Sequence, residues 1–450
     1  MSTSVRRGWT RGPYGYREAQ LESADFTAAM TLFVAGIPSL MIGAELAGLG
    51  VGLGQLVLAV PIGALVGAFV IGLMGKKAAA HGAPSVYLAR PAFGAIPAAV
   101  LAAIRLVLTV AWGAIILGVA GGWVEASFSY LGIGLPSSMG PVLAALVGVV
   151  ALLAGPVGMV GLLRRWLFWI AVVLTLGAAW LLVNQAAPGM GQVTAGGFFG
   201  AVDAVFGLAL LWMAVGGDLA GLGQREDDTA NGLALGFGVA ALLFVLGGAL
   251  LADRFGGFPT DLAVIGTGFA LGVLGFLWVP LMESDGFGGL ATSGGFALES
   301  IVPAMPSVVL ASVAGGASLL GAIFFSTAEL RMWADVAVTL FAPAVGVILV
   351  DAYVVRRGSY FSDDLFSWRG EYGLFNVAGA TSWLLAAVLA TFLRPVGPPA
   401  VAESLARFVG DSRPGLPVLL IGFLTGGVLY LVLGWLALRR RAATHRLRAV

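Results

Sequence analysis

Twelve stretches of this chain are each long and apolar enough to cross a bilayer, and that constrains every other reading. A hydrocarbon core of about 30 Å takes about 20 apolar residues of helix. Inside it, backbone N–H and C=O groups must bond within the segment, so helices are expected throughout. The runs fall at roughly 25–48, 52–75, 95–121, 140–160, 166–184, 199–222, 230–252, 262–285, 307–328, 332–354, 374–393 and 415–438. Of 450 residues, 59% are hydrophobic and only 10% charged, with mean hydropathy +0.98. A water-soluble surface needs far more charge than that. The expected class is an all-α integral membrane protein.

Lys and Arg set the orientation, because inside loops collect them. With both termini cytoplasmic, 18 of the 24 lie in inside segments and 5 outside, and Arg105 falls within span three. The expected location is the cell membrane, multi-pass. Residues 1–24 read as a cytoplasmic segment with no apolar core of a signal peptide. The expected core is 25–354, followed by two accessory spans over 374–438 and a basic tail, 439–450. A formal net charge of +1 gives no reason to expect nucleic acid as a partner. His81 and His445 fall in polar segments and read as solvated.

Two spans carry breaks. In span one, Gly36-Ile37-Pro38-Ser39 sits near the middle of "FTAAMTLFVAGIPSLMIGAELAGLG". Proline removes a backbone donor and clashes with the carbonyl four residues back. A simple proline kink is the plainer reading. Span six holds Gly216-Gly217-Asp218, flexible backbone beside an acid. Breaks five spans apart fit a five-plus-five inverted repeat, 25–184 and 199–354, with a substrate site between unwound helices.

Several stretches resemble one family. "GAPSVYLARPAFGAIPAAVLAAIRLVLTVAWGAIILG" (82–118) is similar to the purine–cytosine permeases, the nucleobase–cation symporters, through Arg90, Phe93, Gly94, Arg105 and Trp112. "VILVDAYVVRRGSY" (347–360) and "LFNVAGATSWLLA" (374–386) resemble that family's spans ten and eleven. The resemblance implies a LeuT-like transporter of nucleobases or related heterocycles, driven by sodium or protons. It also exposes departures. A glutamine that contacts the heterocycle in many members is Ile116 here. Hydroxyls that ligate sodium in span eight give way to Val279 and Pro280 after Trp278. An amide two turns on is replaced nearest by Asp285.

A flat heterocycle needs aromatic faces and a few matched polar groups. Trp112 and Trp212 could sandwich a ring, and Gly36, Gly216 and Gly217 could offer backbone. Trp212 could equally be packing. Arg105 lies about 10 Å from Trp112 on one helix face, and is open to a structural role as a latch. The acids Asp218, Glu283, Asp285 and Glu45 are candidates for proton coupling. Asp203 reads as solvated at the outer end of span six, and Asp335 and Asp351 as interface residues. Glu283 and Asp285 point to different faces if the helix in "FLWVPLMESDGFGG" continues, and are wet if it has ended.

No P-loop, metal-ligand cluster or nucleophile–histidine arrangement suggests an enzyme, and no cofactor is implied. The expected function is secondary transport of a nucleobase-like or pyrimidine-like heterocycle, proton-coupled rather than sodium-coupled. An amino-acid or amine permease of the same architecture is the alternative.

Overall fold

The computed structural model describes residues 21–130, 132–162, 164, 168–169, 197–255, 269–357, 360–409 and 415–448. Among them the regular structure is helical, apart from one isolated bridge between Leu21 and Gly223. Span one is two helices, α1 (Ser23–Val34) and α2 (Ile37–Gly48), bent by 49°. Then come α3 (Leu53–His81), the short α4 (Ala89–Phe93), α5 (Ala95–Tyr130) and α6 (Met139–Leu162). Span five lies almost wholly outside the described residues. The second half comprises α7 (Gly197–Leu219), α8 (Glu226–Phe255), α9 (Phe269–Ile301), α10 (Ser307–Phe324) and α11 (Thr327–Val350). The accessory pair is α12 (Val377–Leu393) and α14 (Val418–Arg448), with short α13 (Pro399–Val409) between them.

The helices pack in two groups. In one, α1, α2 and α3 lie against α7 and α8; in the other, α5 and α6 lie against α9 and α10. Spans one and two therefore pair with six and seven, and three and four with eight and nine. Partners five apart are what a five-plus-five repeat produces. Span α11 joins α5 to the accessory α14.

Several expectations need correction. Span six is not unwound: α7 runs through Gly216, Gly217 and Asp218 and ends in a 3-10 turn at Ala220–Leu222. Its glycines serve close packing instead. A Cβ on Gly217 would come within 2.8 Å of the Ser85 side chain, and one on Gly216 within 3.1 Å of Met30 and Leu233. Span eight does not end near 285, because α9 continues to Ile301, so Glu283 and Asp285 are mid-helix and buried. Asp203 is buried rather than solvated. Its carboxylate accepts the Leu419 and Leu420 N–H groups at 3.1 and 2.9 Å, the otherwise orphaned donors at the start of α14. Asp351 is fully buried and accepts from Tyr360, Tyr430 and Arg356. His81 is also buried, stacked on Tyr360 and 3.2 Å from the Ser362 hydroxyl.

The Arg90-to-Gly94 turn has a structural explanation. Gly94 has φ +81°, and a Cβ there would lie 2.6 Å from the Phe375 backbone N, so only glycine fits. Phe93 C=O accepts Asn376 N–H at 2.8 Å, and the Ala95 and Ile96 N–H groups donate to Gly373 and Leu374. The two stretches that carry the resemblance thus clasp each other.

Glycine also sets how closely α2 and α8 approach. A Cβ on Gly43 would fall 1.9 Å from the Val245 carbonyl oxygen. Gly43→Ala is expected to cost about 1–3 kcal/mol through overpacking. Gly48→Ala, which meets nothing within 4 Å, should leave stability unchanged. Melting in detergent checks both, and equal melting of the two variants would contradict this packing.

Candidate functional site

The break in span one is stabilised from both sides. Freed backbone groups inside a membrane need partners. The Val34 carbonyl accepts the Ser39 hydroxyl, and the Ile37 N–H donates to the Glu283 carboxylate on α9 at 2.5 Å. Pro38 sits in the first turn of α2, where its missing N–H costs nothing. A Cβ on Gly36 would lie 2.7 Å from Glu283 Oε1, so the carboxylate packs directly against this glycine. A carboxylate therefore faces the positive end of a half-helix. Glu283 is 3% exposed and has no basic partner among the described residues.

Around this break, Trp212 is fully buried and stacks on Phe33, centroids 5.8 Å apart and planes 7° apart. Its indole N–H has no partner. Ile116 is also fully buried, and both it and Trp212 close on Gly286, where a Cβ would meet them at 3.6 and 3.4 Å. Asp285 accepts the Gly286 N–H at 2.7 Å through one oxygen, and its other oxygen is unpartnered. Among the described residues no direct ring contact joins Trp112 and Trp212.

Trp112 instead lines a cavity of about 570 Å³, which opens where α2 ends and α11 begins. Glu45, Asp203, Leu208, Arg331, Asp335 and Arg394 share its wall. The Arg331 guanidinium lies 4.9 Å from the Trp112 ring centre. It bonds Glu45 at 2.6 Å and approaches Asp335 at 3.7 Å, while Arg394 meets Asp335 at 3.5 Å. Glu45 is thus a half-exposed partner of an arginine, not a buried acid near the break.

The opposite face is closed. Arg105 and Asp218 form an ion pair there, both almost fully buried. Arg105 also donates to the Ser85 hydroxyl at 3.0 Å, the Ser293 hydroxyl at 2.8 Å and the Ala214 carbonyl. Asp218 further accepts from Ser85 and Ser293 at 3.0 Å each and from Val86 N–H at 3.4 Å. The space beside it, between Met74, Ala102 and Phe341, is only about 20 Å³. Of the acids and glycines singled out in the sequence, Gly36 and Glu283 meet, whereas Gly216, Gly217 and Asp218 belong to this closed face. Ser85, Ser293 and Arg331 were not anticipated. An arginine directly before an apolar span was the available signal for Arg331.

No protein-family model matches the chain, and no curated protein does. Solved structures do, as a LeuT-like fold. MHP1, described as a nucleobase-cation-symport-1 family transporter in a closed conformation with bromovinylhydantoin bound, aligns with TM-score 0.78 at 15% identity, covering 97% of this chain and 96% of that one. A Na+-coupled sialic acid symporter in an outward-open state gives 0.56 at 12% identity over 96% and 95%. The manganese transporter of Eremococcus coleocola gives 0.54 at 12% identity over 93% and 95%. The likeness is one of fold.

Removing one partner of a buried pair strands a charge, which costs about 3–5 kcal/mol. Asp218→Leu and Arg105→Met are each expected to lower stability by that order. Arg105→Met with Asp218→Leu should lose much less than the two single losses combined. A double-mutant cycle of these variants read by melting checks this, and additivity would contradict the pairing.

Proposed function

We propose that this chain is a secondary active transporter of the nucleobase–cation symport type, importing a nucleobase-like or pyrimidine-like heterocycle across the cell membrane. Both termini are cytoplasmic in this reading, so the 570 Å³ cavity is an outward vestibule and the Arg105–Asp218 pair closes the inner side. The observation that carries the proposal is that asymmetry. One face holds a cavity of about 570 Å³ with Trp112 in its wall, and the other is sealed by a buried ion pair. Alternating access requires such a difference between faces. The similarity in fold to cation symporters supports it.

Proton coupling is centred on Glu283. A hard cation at the break would need a shell of oxygens, and Val279 and Pro280 supply none from their side chains. Glu283 instead occupies the junction itself, bonded to the Ile37 N–H. A desolvated carboxylate without a counter-cation is costly when charged, and a proton relieves that cost. Asp218 is less suited, because Arg105 already neutralises it. Substrate entering over Trp112 would approach the broken helix, so its binding and the charge state of Glu283 are linked through one backbone.

Uptake into proteoliposomes tests this. An inward proton gradient at equal sodium is expected to drive accumulation of a labelled heterocycle from a nucleobase panel. A sodium gradient at equal pH should not, and sodium-driven uptake would overturn the coupling. Glu283→Gln keeps an oxygen for Ile37 but cannot cycle a proton. It should retain exchange and lose gradient-driven uptake. Trp112→Ala should weaken binding about tenfold through loss of ring stacking and buried area.

A further inference from the structure

Resting on the reading of Trp112 as the substrate platform, we infer that the vestibule niche selects a planar cation with an amidine-like N–C–N edge, and that Arg331 is its internal stand-in. The guanidinium of Arg331 is itself such a cation. It lies over the Trp112 ring at 4.9 Å and bonds the Glu45 carboxylate at 2.6 Å. An indole face and a carboxylate are the two groups that recognise a planar delocalised cation, one by cation–π attraction and one by charged hydrogen bonds. The protein already shows what this niche holds, because its own side chain is in it.

Arg331 is also poorly satisfied where it is. Its Nη1 is buried without a partner. A desolvated donor lacking an acceptor is unfavourable. An alternative acceptor is close, since Asp335 one turn along the same helix is 3.7 Å from its Nε. Arg331 can swing toward that Asp335 oxygen without displacing Arg394, which meets the other Asp335 oxygen at 3.5 Å. That swing would leave Glu45 and the Trp112 face free in a cavity of about 570 Å³.

Charge elsewhere favours the same class of ligand. The buried acids of α9, Glu283 and Asp285, have no basic partner among the described residues, and Arg105 is committed to Asp218. A carboxylate ligand would have to displace Glu45 from Arg331 and then face further acids. A protonated aminopyrimidine or an amidine can take the stacking and the Glu45 contact directly, once Arg331 has moved.

Binding to purified protein in nanodiscs tests the idea, with benzamidine as the planar cation and benzamide and benzoate as neutral and anionic analogues of the same shape. Wild-type protein is expected to prefer benzamidine. Arg331→Gln removes the internal competitor and should tighten benzamidine about tenfold, the scale of a desolvated cation–π contact. Arg331→Lys, which loses the planar fork but keeps the charge, should move in the same direction by less. Glu45→Gln and Trp112→Ala should each weaken it. Tighter benzoate than benzamidine binding in the wild type, or weaker benzamidine binding in both Arg331 variants, would overturn the inference. Uptake of uncharged nucleobases is measured in parallel. If uptake persists while benzamidine fails, only the cation preference is wrong. If benzamidine behaves as expected while no heterocycle is taken up, the transport reading fails instead.

Discussion

The ion pair between Arg105 and Asp218 fixes the geometry on which everything else depends. Its arginine sits on α5 and its aspartate on α7, so it joins the two groups into which the helices divide. Ser85 and Ser293 bring in the segment after α3 and the helix α9. One guanidinium fork thereby ties four separate parts of the chain at a single buried point. Two desolvated charges attract strongly, and parting them while both stay buried is expensive. The groups can part at this face only if the whole polar cluster opens together, which favours two discrete arrangements over a continuum.

The other face is held differently. Glu45, Arg331, Asp335 and Arg394 are all partly exposed, and exposed pairs contribute little, typically about 0–1 kcal/mol. The contrast has a mechanical meaning. Partly exposed ion pairs line the cavity, and a fully buried ion pair lies at the other face. Between them, the broken span one rests on Glu283, so its two halves can change angle without leaving a backbone donor bare.

The sequence made some of this legible and hid the rest for physical reasons. Gly36 with Pro38 marked a break because proline and glycine act locally. The same residue type at Gly216 and Gly217 misled, because glycine serves close packing as readily as unwinding, and only the neighbours Ser85 and Met30 distinguish the two. Asp203 reads as solvated because nothing near it in the chain pairs with it; its partner Leu419 lies 216 residues away. Asp351 reads as an interface residue because Arg356 is close in the chain, and what buries it is Tyr430, 79 residues away. Likewise the arginine over Trp112 is far from it in sequence, so a ring stack was the natural expectation. The all-helical membrane class needed only local hydropathy and was the easiest to see. The site depends on contacts between distant spans.

The clasp between Gly94 and the strand of backbone at 373–376 bears on how the molecule is made. The Phe93 carbonyl accepts the Asn376 backbone N–H, and the Ala92 carbonyl accepts from the Asn376 side-chain amide across 284 residues. While the ribosome is still delivering spans four to ten, the turn that starts α5 has no such partner. The first half of the chain therefore waits in the membrane with that corner unlatched until span eleven arrives. Long-range closure of this kind is slow and comes late. Closure of this corner therefore has to wait for residues 373–376, which lead into α12.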